Sequence, residues 1–546
     1  MKRRRIFCMI LVLAMMLSMV ACSGGGNKPV DQETPSETPS ENSGSAEQPT
    51  ENPKRDTLIY AWGNDATTMD PHVQNDHSEL PVAMVYSTLL QFNPYTNEIV
   101  CDLAESWEVS EDKCTWTFKI KEGVKFHNGK ELTAGDVKAT YDRFIDPDAD
   151  AAYLVVVEIC KMFKKVDVID KYTVSITTDE PYGPMMALLC NRSLAIMDKD
   201  ILEKYGDQTG LLIESTVGTG PYKLTEWRKG EEMVMERYED YFGEPAKIKN
   251  LIWRTIPDSS ARIVALQNGE VDLVMKLTSE DIMTLEQDPN IEILKAKSVG
   301  QRQFRFAFND PIMKNKKVRQ AIVHAVDREA ILNGLFKGLG EVSTCAVAKV
   351  TWGYNDLGVI KRDIEKAKSL LAEAGYPDGF DTKIVTTPRY TKGVELAEVI
   401  SQQLLDIGIN AEVEVLEWSA ILPTWCGYSP EEFDEPMFIM GCGPSMMDAD
   451  GGLRGLYTTT ETGTNERNYS FYSNAEVDEL IDKGMHETDP IKRNEYYKRA
   501  EEILVYEDPA AIWLYDSYRT AGYNAELDNV ITNGIGLPMF HLMEYK

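Results

Sequence analysis

Few residues of this chain stand where local spacing alone would let them do chemistry. Asp448, in MMDADGGL, is a short carboxylate ahead of a helix-like stretch, so it is either a cation ligand or the cap of that helix. Thr67 and Thr68 sit in a loop from Gly63 to Pro71, where their hydroxyls can donate to a ligand backbone or simply close a turn. Trp418, in EVLEW, suits an apolar pocket wall or a core. The six histidines, His72, His77, His127, His324, His486 and His541, include no pair at HExxH spacing. There is no GxxxxGKS/T phosphate loop and no GxSxG elbow, and no close cysteine pair marks a zinc site. A surface hydrolase with a triad gathered from distant residues stays open as an alternative, with Asp448 as the group to test. The residue types favour recognition instead: polar groups that fix the ends of a solute and apolar walls that exclude water. No cofactor and no resident metal are expected.

The elements that must position such groups can be read from periodicity. Trp107 and Val109 alternate with polar neighbours, Glu111-Asp112-Lys113 turns the chain, and Trp116, Phe118 and Ile120 form a second alternating row. That pattern predicts an antiparallel hairpin with one core face and one wet face. Asn128-Gly129 predicts a tight turn, and Thr133 with Asp136 a short-armed capping box ahead of a helix carrying Val137, Tyr141 and Phe144. Further along, LIYAW reads as a strand and Ser78 to Leu89 as a capped helix. Asp363 caps a helix ended by Gly375, and a helix through Leu396, Ile400, Leu404 and Ile407 stops at Gly408 before the alternating strand Ile409, Ala411, Val413, Val415. Helix-to-strand alternation of this kind predicts an α/β fold.

Charge and the termini bound the setting. With 88 acidic against 57 basic residues the chain carries a formal −31, which argues against nucleic acid as a partner, because phosphate binding relies on Lys and Arg. Lys2 to Arg5 form a basic leader and Ile6 to Val20 an apolar run too short to span a bilayer comfortably, so residues 1–21 read as an export signal. Met19-Val20-Ala21-Cys22 resembles a lipobox with Met where Leu is usual, making Cys22 the expected lipidated first residue and a membrane surface a partner. Residues 22–55 are Gly, Ser, Pro, Thr, Glu, Asn and Gln with almost no apolar residue, a disordered tether whose span is roughly 30 Å. The cysteines left after Cys8 and Cys22 are Cys101, Cys114, Cys160, Cys190, Cys345, Cys426 and Cys442, an odd number. Buried free thiols are the default for them, with a Cys101–Cys114 pair as the alternative.

The run ESWEVS, the alternating CTWTFKIKEGVKFHNG, LTAGDV and DRFIDP resemble the signature of the family 5 solute-binding proteins of ABC importers. TTMDP at Thr67, VGTGPYKLTEW at Val217, RYEDYFG at Arg237, KVRQAIVHAVDREAI at Lys317 and AKSLLAEAGYPDGF at Ala367 agree in order. The resemblance implies a two-lobed periplasmic-binding-protein-like fold of the large class, with the ligand cleft between the lobes. It further implies lobe I at residues 56–310 with an inserted subdomain at about 91–215, lobe II at 311–505, and a return to lobe I over 506–546. The function implied is capture of a peptide or peptide-like solute outside the membrane, by a monomer, for delivery to ABC permease subunits. A metal chelate or an oligosaccharide is the alternative ligand. In peptide-binding relatives a GWxxDxxDPD stretch supplies an Asp for the peptide amine; here GCGPSMMDADGGL, from Gly441, places Cys442 at the Trp and Ser445 at that Asp. This form is similar to the glutathione-importer branch, so a modified, short or end-blocked peptide is as well suited as a plain dipeptide. Arg389, in TTPRY, lies near where dipeptide-binding relatives place an Arg for the ligand carboxylate, a task suited to a bidentate guanidinium.

Overall fold

The computed structural model describes residues 55–73, 79–145, 162–421, 433–443, 446–459 and 468–546. The export signal, Cys22, the tether through Lys54, Ser78, Ser445, Cys160 and Cys426 lie outside the described residues. Eleven strands form one sheet. Across it run Ile409–Val415, Phe380–Thr386, Met437–Cys442, Ile291–Phe306, Ala511–Asn524, Leu273–Met275, Thr57–Trp62, Asn250–Thr255, Glu232–Arg237 and Tyr222–Arg228, with Gly340–Val342 also pairing to Ala511–Asn524. At one end Thr57–Trp62 is parallel to both its neighbours, and at the other Phe380–Thr386 is parallel to both of its own. Helices cover each parallel group, so each half of the sheet packs its own apolar clusters. Leu58, Tyr60, Trp253 and Leu273 belong to the first, and Ile384, Ile400, Ile409 and Ile439 to the second.

Two antiparallel strands join these halves. Ile291–Phe306 has 16 residues and, at roughly 3.3 Å per residue, spans about 50 Å, enough to take part in both groups. Its early residues run beside Tyr518–Asn524, which in turn pairs with Leu273–Met275, while Gln301–Phe306 pairs with Met437–Cys442. A second, four-stranded sheet lies outside the main one, in the order Ala104–Val109, Thr115–Ile120, Thr173–Thr178, Phe163–Asp170.

Local expectations hold where the signal is a cap or a turn. Ala134–Ile145 is a helix, with the Thr133 backbone N–H and hydroxyl both donating to Asp136. Asp363 accepts from Lys366 N, Gly129, Gly375 and Gly408 take positive φ, and helix Gly393–Leu405 gives way to strand Ile409–Val415. The hairpin forms, but its burial differs from the expected pattern. Trp116, Phe118 and Ile120 are buried whereas Trp107 and Val109 are exposed, because Ala104–Val109 is the edge strand and helix Ala134–Ile145 packs over the two strands at the far side of the sheet. The Cys101–Cys114 pair does not form. Both are free thiols, Cys101 Sγ donating to Glu105 O and Cys114 Sγ to Asp112 O.

Candidate functional site

Where the two halves of the sheet meet, the chain encloses a cavity of about 710 Å³. Lys276, Thr278 and Ser279 line it from the first half. Arg389, Tyr390, Trp418, Gly441 and Cys442 line it from the second, and Val299 to Gln303 of the long strand lie between. The pairing of the two long strands is irregular here, with register shifts between Lys297 and Gln301 and again between Arg302 and Gln303. Such irregularities bend a strand and re-aim its side chains, which is how a strand buried in a sheet can present Arg302 to a cavity. The wall behind it is held by a buried amide chain: Gln303 donates to Gln301 at 3.0 Å, and Gln301 donates to Asp516 at 3.0 Å and to Cys345 O at 3.1 Å.

The second-half wall interleaves guanidiniums and rings. Arg302 lies over the Tyr390 ring at 4.1 Å, Arg389 over Trp418 at 4.5 Å, and Tyr390 meets Trp418 edge to face at 6.1 Å. Burial pushes the phenols of Tyr390 and Tyr515 up, so both stay neutral donors. Lys276 and Lys392, on opposite halves, have φ of +63° and +52°, an uncommon conformation for residues with a side chain and one that clusters at ligand sites. Lys392 Nζ donates across the seam to Glu280 Oε1 at 2.6 Å, and this ion pair holds the Glu280 carboxyl down to about 2. Elsewhere Gly183 N donates to Met485 O at 2.7 Å and His486 lies 2.9 Å from Glu180.

The structure gathers four of the residues singled out from sequence, Arg389, Trp418, Gly441 and Cys442, onto this wall, and places three elsewhere. Thr67 is exposed and Thr68 buried in a turn, its hydroxyl accepting from Asp70 N at 3.0 Å, and Asp70 in turn is held by Arg143 at 3.0 Å. Asp448 caps helix Ala449–Tyr457 and takes two 2.7 Å hydrogen bonds from Arg493, so of its two sequence readings it performs the cap. Burial raises the Asp448 carboxyl and Arg493 opposes that shift. Among the described residues, no group of three or more His, Cys, Asp or Glu side chains could hold a metal ion. Arg192, Lys276, Arg302, Lys392 and Arg519 also line the cavity and no local motif marks them.

A family model of bacterial extracellular solute-binding proteins, family 5 Middle, matches residues 98–464. The chain belongs to this family. Glutathione-binding protein GsiB of Escherichia coli (strain K12) is 31% identical over 454 residues, covering 83% of this chain and 87% of that protein. Among solved structures, the ABC transporter-associated periplasmic binding protein DppA from Helicobacter pylori, in complex with peptide STSA, is 29% identical with a TM-score of 0.76, over 90% of this chain and 98% of that one. NikZ from Campylobacter jejuni, in complex with Ni(L-His), is 25% identical with a TM-score of 0.78, over 90% and 100%. The fold is therefore the two-lobed α/β architecture of these binding proteins, with the cavity at the lobe junction. As a family 5 member the chain is a solute-binding protein and not an enzyme, which removes the hydrolase alternative. No helix among the described residues is long and apolar enough to cross a membrane.

Proposed function

We propose that this family 5 protein captures a peptide or peptide-like solute outside the membrane and hands it to the permease subunits of an ABC importer. One observation carries the reading: a cavity of peptide-accommodating size, about 710 Å³, with walls drawn from both lobes. A solute held there contacts both halves at once, which is what a ligand must do to bias an open and closed pair of states. Arg389 takes a ligand carboxylate, Trp418 packs against its apolar part, and the backbone at Gly441 and Cys442 borders it. Among the described residues the lining holds no histidine, which favours a peptide over a metal chelate bound through protein ligands. Lobe I spans 56–310 with its insertion near 91–215, lobe II spans 311–505, and 506–546 returns. The two long strands act as the hinge between the lobes.

In this reading Cys22 anchors a monomer to the membrane through lipid, and the segment to residue 55 gives it reach. Calorimetry with peptide libraries and glutathione, beside mass spectrometry of what co-purifies, tests the ligand class. Absence of binding by any peptide defeats that claim while sparing the family. Cys22→Ala releases the protein from the membrane fraction, and unchanged retention rules out the anchor.

A further inference from the structure

A glycine inside a helix or strand weakens it relative to alanine, so its presence needs a compensating reason. For several glycines of this chain the reason is close approach. A Cβ at Gly484, in helix Ala475–His486, would stand 2.6 Å from the Tyr497 ring. At the cavity, one at Gly441 would stand 2.5 Å from the Arg302 guanidinium, and one at Gly300 2.7 Å from the Ser517 hydroxyl. Gly452, inside helix Ala449–Tyr457, is under no such constraint. A Cβ there would have nothing within 4 Å among the described residues, yet the residue is buried. A buried position with open space before it faces an enclosed volume, and Gly452 lines the cavity.

The surroundings of that space are apolar. Leu456, one turn beyond Gly452 on the same helix face, also lines the cavity. At the start of the helix Trp352 N donates to Met447 O at 3.1 Å and Ala449 N to Trp352 O at 2.9 Å, which ties the preceding segment to it. From that segment Ala346, Val347 and Ala348 join the lining, and Ala346, Val347 and Leu456 belong to one apolar cluster. This part of the wall differs from the guanidiniums and rings of Arg302, Tyr390, Arg389 and Trp418. An apolar group that leaves water for such a space gains free energy in proportion to the area it buries.

We propose that Gly452 is a specificity-determining residue: the side chain it lacks leaves room for a bulky apolar side chain of the bound peptide, which packs against Leu456 and Val347. This rests on the peptide reading above and narrows it to peptides with at least one large apolar residue. The helix gives up some stability at Gly452, and the cavity gains volume.

The test is calorimetry of the unaltered chain, Gly452→Ala and Gly452→Leu with Ala-Ala-Ala, Phe-Ala-Ala, Ala-Phe-Ala and Ala-Ala-Phe. The unaltered chain binds at least one of the phenylalanine peptides about tenfold more tightly than Ala-Ala-Ala. In Gly452→Leu that ratio falls to about one, because leucine fills the space. In Gly452→Ala it falls about threefold, while the melting temperature of the unliganded chain rises by about 1 °C, since alanine favours the helix and its Cβ meets nothing. If Gly452→Leu fails to fold, Gly452→Ala decides the matter through both readouts. A preference for phenylalanine that survives in the variants overturns the inference, as does a lower melting temperature for Gly452→Ala, which would make the glycine structural. An unaltered chain that binds all four peptides equally overturns it too and leaves the peptide reading standing. Binding of none of the four removes the peptide reading and this inference with it.

Discussion

Around helix Ala449–Tyr457, Arg493 meets Asp448 through two 2.7 Å hydrogen bonds and Arg454 meets Asp450 at 2.9 Å. At the cavity, the guanidiniums of Arg302 and Arg389 meet aromatic faces, and buried nitrogens of Arg302 and Arg519 have no hydrogen-bond partner among the described residues. The two regions hold the same chemical group in different settings, Arg493 buried against a carboxylate and Arg389 exposed and stacked on a ring. In the first the protein supplies the counter-charge, so the arginine is part of the folded framework. In the second the contacts are with ring faces, and among the described residues no carboxylate lines the cavity.

The largest effect expected from breaking this contrast is in the balanced region. Asp448→Ala strands Arg493 in the interior and should cost about 3–5 kcal/mol in denaturant unfolding, whereas replacing both partners with apolar residues should cost less. Glu501 supplies a buried acid without a cation. Burial raises its carboxyl to about 8 from an ordinary 4.5, while it accepts from Val347 N at 3.1 Å and Asn355 Nδ2 at 3.0 Å. Folding therefore takes up a proton between those values, and stability falls as pH rises through that window. Glu501→Gln should gain on the native chain by up to a few kcal/mol as pH climbs toward about 8, seen as a flatter melting-temperature profile.

In the unbalanced region the expected signs reverse. Arg302→Met should weaken solute binding by about 1.4 kcal/mol and leave the melting temperature of the unliganded chain unchanged or raised, since it removes a buried donor that has no partner among the described residues. A fall in melting temperature like that of Asp448→Ala would erase the distinction between the regions. The smallest effect belongs to the seam. Glu280 is exposed, so Glu280→Gln should alter stability by about 0–1 kcal/mol and show itself in the distribution of open and closed forms by small-angle scattering.

Sequence reasoning reached the secondary structure wherever a short-range signal exists. Asp363 before its helix, Gly408 between helix and strand and the Thr133–Asp136 box are all local devices, complete within a few residues. It misjudged Trp107 and Val109 because alternation reports that a strand has two faces and says nothing of which strand lies at the sheet's edge. Asp448 carried two readings of equal chemistry, and only the approach of Arg493, 45 residues later, separated them. Arg302 was not legible at all, since its access to the cavity comes from a register shift against a strand more than 200 residues away.

The order of residues by itself determined the family, the alternation of helices and strands, the acidity of the chain and the lack of any local catalytic motif, because each of these is written within short windows of sequence. Only the tertiary structure decided which cations are brought to one cavity. Lys276, Arg302, Arg389 and Arg519 come from distant segments, and the charge of a cavity is the sum over walls that meet only when the chain has folded.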